Sequence, residues 1–112
     1  MVERASGTLL RVQELVQRGK YIVSRHGFRE LDADGILIQE VLAGVKAAIV
    51  VEDYPTSRKE PSVLVLQHDG GGRPIHVMWG VPRMAGTPAI LVTAYRPAAE
   101  RWSTDFMNRK KP

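Results

Sequence analysis

Two short segments near opposite ends of this chain hold the side chains best suited to chemistry. The first is Tyr21-Ile22-Val23-Ser24-Arg25-His26-Gly27-Phe28-Arg29, and the second is Leu91-Val92-Thr93-Ala94-Tyr95-Arg96-Pro97. A histidine exchanges protons at cellular pH, and an arginine three residues on can grip a phosphate, so His26 and Arg29 form a candidate acid–base and phosphate-binding pair. If Gly27 permits a tight bend or one helical turn, both side chains face the same way. The bland alternative is a capping or surface histidine beside a solvent-edge arginine.

A second histidine, His76, stands in the apolar run Pro74–Trp79. Strand alternation sets it and Met78 on the face opposite Ile75, Val77 and Trp79. Two histidines and an arginine can cleave a phosphodiester without metal. One histidine activates the ribose 2′-hydroxyl, the other protonates the leaving oxygen, and arginine stabilises the charged phosphorane. In the last apolar run Thr93 and Tyr95 share a face. Tyr95 is placed to stack on a base or bond a phosphate, and Arg96 to clamp one. Arg73, beside the glycine turn, is either a loop charge or a phosphate contact. Each has an ordinary structural alternative: a partly exposed strand histidine, a core tyrosine with its hydroxyl at the rim. Trp102 reads as a packing anchor.

The elements that must position these groups follow from periodicity. Ser6 or Thr8 caps a helix through Leu9, Val12, Leu15 and Val16, stopped by Gly19. Tyr21–Val23 is a short strand or extended connector. Asp32 or Asp34 starts a second helix over Ile36–Leu42, closed by Gly44. Four strand-like runs follow, at 47–54, 62–67, 74–79 and 89–95, separated by short polar or glycine-rich loops that predict an antiparallel meander. The tail from Ala98 begins as a short helix, and residues 103–112 read as a flexible basic tail. The expected fold is α+β, with two N-terminal helices packed on a four-stranded antiparallel sheet in a single domain over 1–112.

Composition narrows the setting. The chain has 112 residues, no cysteine and a net charge of +4, which excludes disulfides and thiolate metal sites. His26, His68 and His76 are too scattered to suggest zinc, and Gly70-Gly71-Gly72 lacks the lysine and helix of a nucleotide loop. No cofactor or metal is expected. With neither a leader-like N-terminus nor a membrane-length apolar run, the expected location is the cytoplasm. Charge is segregated: residues 1–29 carry six basic and two acidic side chains, 30–69 three and eight, and 70–112 seven and two. If the two basic ends meet, they make a cationic face that attracts polyanions.

The order His26-x-x-Arg29, Arg73-Pro74-Ile75-His76-Val77 and Thr93-x-Tyr95-x-Pro97 followed by Trp102 resembles small bacterial domains related to RelE-like toxins, which share their α+β fold with colicin-type and EndoU-type ribonucleases. The resemblance spans roughly residues 18–102. It implies a metal-independent endoribonuclease of a toxin–antitoxin system, acting on single-stranded RNA or ribosome-bound mRNA and held by a cognate antitoxin protein. Its motifs fall on His26, Arg29, His76, Thr93, Tyr95 and Pro97; joined to the reading of the residues above, they make His26, Arg29, His76 and Tyr95 the catalytic candidates, and Arg73, Thr93 and Arg96 the RNA-binding ones. The acidic run Glu30, Asp32 and Asp34 departs from the pattern, because members often carry a basic residue there. The alternative is a non-catalytic RNA- or protein-binding module on the same fold.

Overall fold

The computed structural model describes residues 5–58 and 60–111. Residues 1–4, Lys59 within the 56–61 loop, and Pro112 of the basic tail lie outside the described residues. Ser6 opens the first helix, α1 (Gly7–Gln17), by accepting the N–H of Leu9 at 3.1 Å, and its hydroxyl also donates to Asp53 at 3.1 Å. The helix buries Leu9, Val12 and Leu15, the stripe that the spacing predicts. Gly19, at φ +74°, turns the chain into β1 (Tyr21–Val23).

A helix that periodicity does not announce comes next. α2 (Arg25–Ala33) is capped by Ser24, which accepts from the Gly27 N–H at 2.9 Å and donates to the Val92 carbonyl at 2.8 Å. Gly27 lets the helix lie directly on the sheet backbone, because a Cβ there would sit 2.7 Å from the Leu91 carbonyl oxygen. α3 (Ile38–Gly44) then begins later than the aspartates at 32 and 34 suggest, and it runs into a 3₁₀ turn, Val45–Ala47.

The sheet comprises β1, β2 (Ile49–Tyr54), β3 (Ser62–His68), β4 (Pro74–Gly80) and β5 (Ala89–Tyr95) in the order β1-β5-β4-β3-β2. β2 to β5 form the antiparallel meander. β1 joins its far side parallel to β5, with Ile22 opposite Ile90. The architecture is therefore α+β, but with three helices on a five-stranded mixed sheet rather than two on four antiparallel strands. A parallel partner 68 residues away in sequence leaves no local trace, which is why the small strand reads as a connector.

Each sheet face has its own core. One lies under the helices and is apolar except for the buried amide of Gln67: Val12, Leu15, Val41, Ile75, Val77, Trp79 and Leu91 are all at most 1% exposed. The other gathers Val51, Leu64, Leu66 and Trp102, with Met78, Tyr95, Phe106 and Met107 packed against them. Its cover is the C-terminal segment. Instead of a short helix from Ala98 and a free tail, residues 98–110 make a turn and a return. Trp102 pairs with Arg109 as an isolated bridge, and Lys110 N–H donates to the Arg101 carbonyl at 2.8 Å. Burial of Trp102, with partly buried Phe106 packed beside it, holds this return down, so its basic residues are carried on a strap fixed to the sheet.

Candidate functional site

The strap roofs a line of polar and aromatic side chains on the second face. His76 ↔ Tyr95 and Met78 ↔ Thr93 are cross-strand partners, so His76, Tyr95 and half-buried Thr93 share that face. The His76 ring is wholly buried. Its Nε2 lies 2.8 Å from the Phe106 carbonyl oxygen, which can only accept, so Nε2 carries the proton. Nδ1 then accepts from the Tyr95 hydroxyl at 3.1 Å. The Trp102 ring stands edge-on to His76 at 4.3 Å. Burial pushes the imidazole below its ordinary pKa, against the opposing pull of the Phe106 carbonyl, and pushes the Tyr95 phenol up. His76 is a neutral, fully bonded core histidine, with no open path to a substrate while the strap is down.

The line continues outward. The Arg109 guanidinium lies 4.8 Å above the Trp102 ring and grips Glu52 with two bonds, Nε to Oε2 at 2.8 Å and Nη2 to Oε1 at 3.0 Å. Tyr54 donates to the same carboxylate at 2.6 Å. The Arg109 bond, aided by Tyr54, holds the Glu52 carboxyl below its ordinary range despite partial burial. Reciprocally, Glu52 raises the Arg109 pKa. Glu52, Tyr54 and Arg109 were not among the candidates drawn from the sequence. The available signal was Glu52 and Tyr54 two residues apart on one strand, which sets both on one face.

Arg96 has a partner already. Its guanidinium pairs with Asp69 at 2.9 Å, its own N–H donates to the Asp34 carboxylate at 2.8 Å, and both side chains of the Arg96–Asp69 pair are largely buried. Asp69 also accepts the N–H groups of Gly71 and Arg73, each at 2.9 Å. These bonds hold its carboxyl below the usual range, the Arg73 N–H contributing most. Arg96 therefore fastens the end of β5 to the β3–β4 turn, and its Nε has no partner in the buried interior. Arg73 itself projects from that turn, exposed.

His26 and Arg29 sit together as their spacing suggests, one turn apart on α2, both exposed. The only carboxylate paired with His26 among the described residues is Glu30, at 3.8 Å. Thus the structure joins His76 to Tyr95 and leaves His26 and Arg29 on a different element. The acidic end of α2 meets the end of β5 through Asp34, which accepts the Arg96 N–H.

Above the closed face lies an open cleft of about 570 Å³ between the end of β5 and the strap. Tyr95 and Trp102 line it with Arg96, Arg101, Arg109, Lys110 and Lys111, against one carboxylate, Glu100. Arg101, Lys110 and Lys111 are exposed. Among the described residues no group of three or more histidines or carboxylates is placed to hold a metal ion, and no helix is long and apolar enough to cross a membrane.

A family model, a domain of unknown function (DUF4258), matches residues 23–96. The chain belongs to this family. DUF4258 therefore takes in α2 through β5, with the His76–Tyr95 pair, His26 and Arg29, whereas α1 and the strap with its cleft cations fall outside the matched span. No characterised protein and no solved structure matches the chain.

Proposed function

We propose that this DUF4258 protein is a cytoplasmic binder of single-stranded RNA that seats the phosphate backbone in the cleft between the end of β5 and its strap. One observation carries the reading: Arg101, Lys110 and Lys111 gather, exposed, around an open cleft with aromatic walls. Cations along a groove supply most of the affinity for a single strand, and an aromatic edge adds sequence-tolerant contact. Tyr95 is only half-buried and so offers its ring edge to a base, while the paired Arg96 and Arg109 fix the walls.

Anisotropy of a labelled oligouridylate against salt tests this. Replacing Arg101, Lys110 and Lys111 together by serine removes three phosphate contacts, and the slope of log affinity on log salt should fall by roughly 2. An unchanged slope, or no binding by the wild type at low salt, ends the proposal.

A second reading, endoribonuclease of a toxin–antitoxin pair, is favoured by the exposed His26 and Arg29 one turn apart on α2. It requires the strap to lift before His76 can act as the partner acid. Shortened RNA on a denaturing gel, abolished by His26→Ala, would select it; intact RNA in a shifted complex selects the binder.

A further inference from the structure

At the opposite edge of the molecule from the strap-side strand β2, the sheet ends in β1 with no further strand outside it among the described residues. In its parallel ladder the Lys20 carbonyl accepts from Ala89 and the Ser24 N–H donates to Leu91, each at 3.0 Å. Residues 20, 22 and 24 therefore use their backbone groups toward β5. By alternation the N–H and C=O of Tyr21 and Val23 point to the outer side, the row that an edge strand offers to another chain.

Two apolar cavities flank that row on the helical face. Val23 opens onto one of about 510 Å³, walled by Phe28, Leu31, Ile36 and Leu37. Tyr21 opens onto one of about 320 Å³, walled by Val16, Leu42 and Val45. Phe28 and Leu37 are 64% and 63% exposed, a large apolar area for side chains with no catalytic use. The cavities lie at positions two residues apart on β1. That is the spacing of successive same-face side chains on a strand laid alongside it.

The charges around this edge decide the partner. Arg18, Lys20, Arg25, Arg29 and Lys46 are exposed there, whereas Asp32 is the carboxylate lining the larger cavity. Arg18 is shared with Glu14 at 3.3 Å. A second copy of this chain would bring the same cations against themselves.

We infer that the β1 edge is a docking site for an extended acidic peptide of a protein partner, which pairs with Tyr21 and Val23 and places alternate apolar side chains in the two cavities. Backbone pairing supplies generic affinity, the cavities set the register, and carboxylates at the intervening positions face the side of the sheet that alternation gives to exposed Ile22 and Lys20. This surface is separate from the RNA cleft and stands whether or not the cleft binds RNA.

The probe is a seven-residue peptide alternating valine and glutamate, titrated to millimolar concentration into ¹⁵N-labelled full-length protein. The proposal predicts saturable shifts of the Tyr21, Ile22 and Val23 amides and slowed amide exchange at Tyr21 and Val23. A valine–lysine peptide of the same length should produce neither. Phe28→Ser and Lys20→Glu, both at exposed positions, should each weaken binding about tenfold. Absence of shifts at these amides, equal response to the lysine peptide, or shifts confined to the strap would overturn it. So would sedimentation showing a dimer that protects the same amides, since the edge would then belong to a second copy.

Discussion

The two faces of the sheet are closed by different physics. Under the helices the core is apolar but for Gln67, a neutral, fully buried amide that accepts from Trp79 at 3.2 Å and donates to the Val41 carbonyl at 2.8 Å. Beneath the strap, burial of Trp102 is interwoven with a polar line from Tyr54 through Glu52, Arg109 and His76 to Tyr95. Apolar burial carries no titrating group and no ion pair to screen, whereas a line of ionisable groups responds to both pH and ionic strength. The helical face should therefore behave as a fixed scaffold, and the strap face as the part whose closure varies with conditions.

The sharpest way to break that contrast is to remove one tryptophan from each face. Trp79→Ala should cost about 3–5 kcal/mol in urea unfolding and lower hydrogen-exchange protection throughout the sheet. Trp102→Ala should cost somewhat less, roughly 2–4 kcal/mol, with protection lost first at Ser103, Phe106 and Lys110. Identical exchange patterns would mean that the two faces open as one unit.

A smaller effect comes from His76. Its folded pKa lies below its ordinary value of 6.5, so the unfolded chain takes up a proton that the native chain refuses. Stability should be complete above pH 6.5 and decline as pH falls below it, levelling off under the folded pKa. His76→Leu should flatten this dependence, as measured by unfolding midpoints at several pH values. A variant that keeps the wild-type slope would assign the dependence to another group.

The smallest effect belongs to Glu52. It is partly exposed, with Arg109 more so, and Glu52→Gln should cost less than about 1 kcal/mol. The readout is salt: the wild-type strap should gain exchange rate at Phe106 as ionic strength rises, and the variant should be insensitive.

Much of this scaffold was legible from side-chain period alone. Leu9, Val12 and Leu15 mark α1, and the runs ending at Gln67, Trp79 and Tyr95 mark three strands to within a residue or two. α2 escaped because it buries only Gly27 and Leu31; a cap from Ser24 and backbone contact with Leu91 hold it in place of an apolar stripe. For the site, His76 with Tyr95 could be placed on one face by alternation. Their closure could not, because Trp102, Phe106 and Arg109 reach them through a return with no periodic signature. His26 beside Arg29 was readable from spacing, but their distance from His76 depends on α2 being a helix laid along β5.

The stretch shared with DUF4258, residues 23–96, keeps α2 and α3 but stops short of α1 on one face and of the whole strap on the other. Cut at those limits, the polypeptide would lose Leu9, Val12 and Leu15 from one side and Trp102 with Phe106 from the other, baring Val51, Leu64 and Leu66 to water. Such a fragment bares one sheet face whole and the other in part, and is sticky rather than a soluble miniature. What is inherited as a block and what can stand alone in solution have different borders in this chain, and expression boundaries should follow the second.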